Sequence, residues 1–148
     1  MARYMASVDT PLPPDQVFDY LSDFSTTAEW DPGVVEAERL GDTPIAQGSE
    51  FRLVADFLHR KTTLAYRIVE YDRPNEVAFR GENASVVSLD RITLEASNGG
   101  TRITYDAQLA LKGAFKLADP VLGLAFRKVG DRALAGMPKT LRARQPDS

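Results

Sequence analysis

No cysteine occurs anywhere in the chain, which removes disulfides, thiolate nucleophiles and Cys-based zinc sites at once. Histidine occurs once, at His59, so a His-built metal site is excluded as well. His59 sits in Leu58-His59-Arg60-Lys61, which reads as an exposed hairpin loop, and no Ser or Cys motif beside it supports a nucleophilic triad. No apolar run approaches the roughly 20 residues of a membrane span, and the first residues alternate instead of forming the apolar stretch of a signal peptide. A basic excess is missing too. The net charge is −3 and the pI about 5.2, which argues against nucleic acid as a partner, because phosphate neutralisation wants a basic surface. GxGxxG, P-loop and GxSxG patterns are absent, and Gly99-Gly100 reads as a hairpin turn. These exclusions predict a soluble, cytoplasmic protein without metal or cofactor, a monomer or homodimer.

What remains is an ordinary globular composition over 148 residues, enough for one domain at residues 1–144 with residues 145–148 as a loose tail. Residues 3–9 alternate, with Tyr4, Ala6 and Val8 on one face, as in a half-buried antiparallel strand. Pro11, Pro13 and Pro14 end it, and Pro14 suits the first turn of a short helix carrying Val17, Phe18 and Leu21 to about Ser22. Thr26 and Glu29 have the spacing of a capping box, which predicts a second short helix ending at the breaker Trp30-Asp31-Pro32-Gly33. In that reading Asp31 and Glu29 are explained by turn and cap. Six strand-like stretches follow, at residues 34–40, 48–57, 62–71, 76–80, 86–96 and 101–111. Turns at Gly41-Asp42, residues 72–75 and Asn98-Gly99-Gly100 separate them. Short turns between successive strands predict an antiparallel meander with one apolar face.

That face needs a cover. Only residues 115–144 are long enough, with Leu122, Phe126, Val129, Ala133, Met137 and Leu141 on one helical arc and charged residues largely opposite. Asp119-Pro120 reads as the cap and first position of the helix proper, and Pro138 is expected to kink or end it. Gly123 and Gly130 lie on or beside the inward arc. Glycine inside a helix costs up to about 1 kcal/mol against alanine, so their presence there predicts close approach or empty space beneath.

Four stretches, residues 13–24 (PPDQVFDYLSDF), 29–34 (EWDPGV), 66–74 (YRIVEYDRP) and 99–105 (GGTRITY), together with the terminal helix, resemble the START-like superfamily. The resemblance is nearer to its polyketide cyclase/dehydrase and lipid-transport branch. It implies an α+β helix-grip fold, in which a curved antiparallel sheet of about seven strands wraps a long C-terminal helix and two short helices follow the first strand. It also implies a deep apolar pocket between sheet and helix that holds a lipid-like or aromatic ligand. Members range from carriers to cyclases and receptors, so the fold does not fix the function.

The candidate lining of such a pocket is Phe24, Trp30, Phe51, Leu53, Phe57, Tyr66, Phe79, Tyr105, Phe115, Leu122, Gly123, Phe126 and Gly130. Each aromatic among them is equally explained by core packing. Asp90 is more pointed. By period 2 it shares the inner face with Ile92 and Leu94, where a carboxylate must be paired, hydrogen-bonded or protonated, unless a bulge turns it to solvent. Tyr66 and Tyr105 carry hydroxyls that could orient a ligand carbonyl, and with Asp90 they are the only candidate catalytic constellation. Arg52, Arg67 and Arg80 alternate outward, leaving no inner cation to receive a carboxylate or phosphate. The leading expectation is a non-enzymatic binder or carrier of a lipid, fatty acid, isoprenoid or polyketide-like molecule, with the Trp30 turn as gate. The competitors are a cofactor-independent aromatase/cyclase and a regulatory or toxin–antitoxin-type module whose pocket is filled by Phe51, Phe79 and Phe126.

Overall fold

The computed structural model describes residues 2–57, 60–112, 127 and 131–141. His59, Phe115, Leu122, Gly123, Phe126, Gly130, the Asp119-Pro120 cap and the tail at 145–148 lie outside these residues, as does the side chain of Phe57. Strand β1 (Ala2–Thr10) is followed by helix α1 (Pro14–Ser22), a 3-10 turn (Phe24–Thr26) and helix α2 (Thr27–Trp30). Six strands come next: β2 (Val34–Leu40), β3 (Glu50–Phe57), β4 (Arg60–Asp72), β5 (Glu76–Glu82), β6 (Val86–Ser97) and β7 (Gly100–Leu111). Residues 131–141 form the described part of the C-terminal helix, α3.

The expected meander is present from β2 to β7, and β1 closes onto β7, giving the order β1-β7-β6-β5-β4-β3-β2. Every pairing is antiparallel, with Ala2 opposite Leu109 and Thr10 opposite Thr101 at the β1–β7 seam. Asn98 and Gly99 both have positive φ, 49° and 81°, as a tight hairpin turn between Ser97 and Gly100 requires. Bulges between Val34 and Glu36 and between Ile68 and Glu70 add bend and twist to β2 and β4. The sheet, the two short helices and α3 make the START-like helix-grip fold.

Period 2 decides what each strand buries. Phe51 and Leu53, Leu64, Tyr66 and Ile68, Val77 and Phe79, Ile92 and Leu94, and Ile103, Tyr105 and Ala107 all face inward. α1 adds Val17, Phe18 and Leu21 to the same core, and α3 adds Ala133, Leu134, Met137 and Leu141. Asp131, Arg132 and Lys139 stay exposed on the outer face of α3, as the helical arc predicts. The Tyr4 hydroxyl donates to Asp131 Oδ1 at 2.7 Å and ties α3 to β1.

One local expectation is corrected. Thr26 precedes α2, but its side chain makes no cap; its hydroxyl donates to the Tyr20 carbonyl at 3.2 Å and accepts the Trp30 indole N–H at 3.3 Å. The hydroxyl is spent on holding the indole, so no capping box forms there. Past Pro138, which the sequence marks as a place to kink or end the helix, the described residues stay helical to 141. The missing N–H at Pro138 removes the intrahelical bond to the Leu134 carbonyl, and separately the Thr140 hydroxyl donates to the Met137 and Gly136 carbonyls at 3.0 and 3.4 Å.

Candidate functional site

The site is assembled from the concave face of the sheet, the turn after α2, and α3. On β6, alternation puts Ser88, Asp90 and Ile92 inward. The β6–β7 register runs unbroken through Ser88–Leu109, Asp90–Ala107 and Ile92–Tyr105, so no bulge turns Asp90 to solvent. Asp90 is 5% exposed. Above it lies a cavity of about 150 Å³ walled by Phe24, Trp30, Leu53, Leu64, Ala107, Leu109 and Ala133. A dry cavity of ~150 Å³ is the size that accepts a benzene ring. The half-buried lining residues Val34, Ala55, Thr62 and Val86 cluster where β2, β4 and β6 begin and β3 ends, which is the more open end of the described lining.

Polar groups gather at the inner wall. Asp90 accepts from Ser88 Oγ at 2.9 Å through Oδ1 and from Tyr105 Oη at 2.8 Å through Oδ2. Burial pushes Asp90 up to about 6 against an ordinary 3.8, although both hydroxyls favour its charged form. Asp31 also lines the cavity. It accepts the Gly33 N–H at 2.9 Å and is pushed up to about 6, first by burial and further by the charge of Asp90. Tyr66 and Tyr105 are raised well above the usual phenol range by burial and by Asp90. Both therefore stay protonated. The buried Asp90 and the half-buried Asp31, both with weakened acidity and beside a phenol, are groups able to exchange protons near neutral pH.

The candidate residues thus divide. Phe24, Trp30, Leu53, Tyr66, Asp90 and Tyr105 line one cavity. Phe51 and Phe79 do not; they are fully buried behind it. Phe79 stacks on Phe24 with ring centroids 3.9 Å apart, and Phe51 meets both edge-on at 6.1 and 6.3 Å. Trp30 is held in the wall by three contacts. Its ring meets Tyr105 edge-on at 6.2 Å, its N–H is held by Thr26, and its carbonyl lies under Gly136 so closely that a methyl group there would overlap it. Tyr66 lies over Gly81, where a Cβ would sit 2.5 Å from the ring.

Asp31, Ser88, Thr27 and Gly136 were not singled out by the sequence reading. Ser88 carried a signal, since it is two residues before Asp90 on the same face. Asp31 carried none, because its turn role is real and hides its second one. Among the described residues no cluster of His, Cys, Asp and Glu could hold a metal ion, and no helix is long and apolar enough to cross a membrane.

The model of the polyketide cyclase / dehydrase and lipid transport family matches residues 1–142, and the chain belongs to that family. An uncharacterised protein of Mycobacterium tuberculosis, MT1597, is 24% identical over 118 residues, covering 78% of this chain and 81% of the relative. Two solved structures share the fold at a TM-score of 0.80. TTHA0849 from Thermus thermophilus is 17% identical, with 97% of this chain and 99% of that one covered. The Zhui aromatase/cyclase from a Streptomyces species is 16% identical, with 96% and 94% covered.

Proposed function

We propose that the protein binds a hydrophobic small molecule that places a ring or short apolar segment in the cavity and its polar end against Asp90, Asp31, Tyr66 and Tyr105. The observation that carries this is the cavity itself: apolar walls, about 150 Å³, ending on buried polar groups. Burial supplies roughly 25 cal/mol per Å² of apolar ligand surface before ordering costs. A volume of this size favours a ring-sized segment over a whole lipid or fatty acid, whose remainder would extend through the open end. In this reading the domain spans residues 1–144, in keeping with the family match, and works in the cytoplasm without a cofactor. The test is native mass spectrometry after gentle purification, together with NMR titration using small aromatic probes. A co-purified molecule, or shifts confined to the cavity residues, is expected. No retained mass and no shifts would end the reading.

One observation favours a second reading, a cofactor-independent cyclase or dehydratase of the aromatase/cyclase kind. Asp90 faces the cavity, is hydrogen-bonded to Tyr105 and titrates where general acid–base chemistry works best. Asp90 would move the proton and Tyr105 would hold it in place. Turnover of a short polyketone analogue that survives unchanged in Asp90→Asn would exclude this role. The filled-pocket interaction module gains no support from Phe51 and Phe79, which do not line the cavity, while Phe126, its third filler, lies outside the described residues.

A further inference from the structure

The polar end of the cavity is rich in hydrogen-bond acceptors, with the protonated Tyr66 hydroxyl as a donor among them. Each lining donor with a fixed partner is turned away from the space. The Ser88 and Tyr105 hydroxyls give their protons to Asp90. The Thr27 hydroxyl gives its proton to the Phe24 carbonyl at 2.7 Å, and the Trp30 N–H goes to Thr26. A hydroxyl whose proton is engaged presents lone pairs to whatever else approaches. Asp31 and Asp90 contribute oxygens that only accept when ionised.

No positive charge offsets them among the described lining residues. The sheet spends its arginines on the other face: Arg52 pairs with Glu38, Arg80 with Glu82 and Arg91 with Glu70, at 2.6, 2.8 and 2.6 Å. Arg67, Arg127 and Arg132 are exposed. The groups packed around the two carboxylates are Tyr66 from β4, Ser88 from β6, Tyr105 from β7 and Thr27 from α2, while α3 offers Ala133. None is cationic. The aromatic faces of Trp30, Phe24 and the two tyrosines add a further preference for positive charge.

Resting on the ligand-binding reading above, we infer that the cavity selects a hydrophobic amine, whose ammonium donates to Asp90 and Asp31 while its ring or short chain fills the apolar space. The same arrangement rejects fatty acids and other carboxylates. An anion there meets two carboxylates with no lining cation among the described residues to offset them, and the Tyr66 hydroxyl is only a neutral donor. The arrangement also changes the role read for Tyr105 from sequence, because its proton is already committed to Asp90 and would not orient a ligand carbonyl.

The test compares three probes of one ring and one polar group: benzylamine, benzyl alcohol and phenylacetate. Each is titrated by NMR into the intact chain at neutral pH. Benzylamine is expected to bind about ten- to a hundredfold more tightly than phenylacetate, with the alcohol between them, as for one charge-assisted hydrogen bond gained. In Asp90→Asn and in Asp31→Asn the ratio of amine to alcohol affinity should fall towards one. The two variants are read separately so that a folding defect in one leaves the other informative. Alcohol and carboxylate binding as well as or better than the amine overturns the inference and leaves the ligand-binding reading standing. A wild-type preference for the amine that persists in both variants overturns it too. Binding of none of the three, with no co-purified molecule, overturns both.

Discussion

Replacing Asp90 by Asn should change the stability of this protein by an amount that depends on pH, and the sign of that dependence tests the site directly. In the unfolded chain Asp90 titrates near 3.8; in the folded protein burial holds it at about 6. Between those values the folded state binds the extra proton, so the contribution of Asp90 is fully present below 3.8 and is lost as pH rises through about 6. At about 1.4 kcal/mol per pH unit the whole loss is about 3 kcal/mol. Asn cannot ionise. Its carboxamide keeps one strong acceptor, as the carboxylic acid does, so at about pH 4 the variant and the parent should agree within about 1 kcal/mol. By about pH 8 the variant should have gained about 3 kcal/mol relative to the parent, which for a chain of this size is a melting temperature about 6–12 °C higher. Asp31 adds to the trend, because losing the neighbouring charge eases its own ionisation. Thermal or urea unfolding of both proteins across this range gives a difference in which the titrating groups other than Asp90 and its coupled neighbour Asp31 cancel. Parallel curves, with Asn equally destabilising at both ends, would refute a buried carboxylate of raised pKa.

Three further perturbations follow from single contacts. Tyr105→Phe removes a hydrogen bond that favours the ionised carboxylate, so Asp90 should titrate above about 6 when followed by carboxyl carbon NMR. Gly136→Ala drives a methyl group into the Trp30 carbonyl and should cost about 1–3 kcal/mol in urea unfolding, with a neutral effect refuting the close approach. Gly81→Ala presses on the Tyr66 ring from the sheet side and should push it into the cavity. Ring-sized probes should then bind more weakly while the unfolding midpoint moves little.

Alternation and turn chemistry made the six strands of the meander, both short helices and the apolar arc of α3 readable from sequence. Asp90 came from the same rule, since its period-2 partners Ile92 and Leu94 share one wall. The β1–β7 seam could not be read in that way. Nothing local to residues 2–10 specifies a partner at 101–109, which the closing of the sheet selects. Aromatic residues hid the difference between lining and filling: Phe24 reaches the cavity and Phe79 stacks behind it, and composition is blind to that one layer. Asp31 was hidden by a true local explanation. The turn reads the same whatever lies beside it, and its placement against the cavity rests on contacts far off in sequence, such as the Asp56 N–H to the Gly33 carbonyl and the close approach of Trp30 to Gly136.

The β1–β7 seam also bears on how the chain comes to be folded. During synthesis β1 emerges first, but its pairing surface does not exist until Leu109 has been made. Through that interval Tyr4, Ala6 and Val8 have no sheet to lie on, while β2 to β6 can already pair with their neighbours. Contacts so far apart in sequence place such a fold among the slower ones, and the unpaired first strand is its most aggregation-prone intermediate feature. The strand made earliest is thus the last to dock, and conditions that delay β7 should leave its partner edge open to other chains.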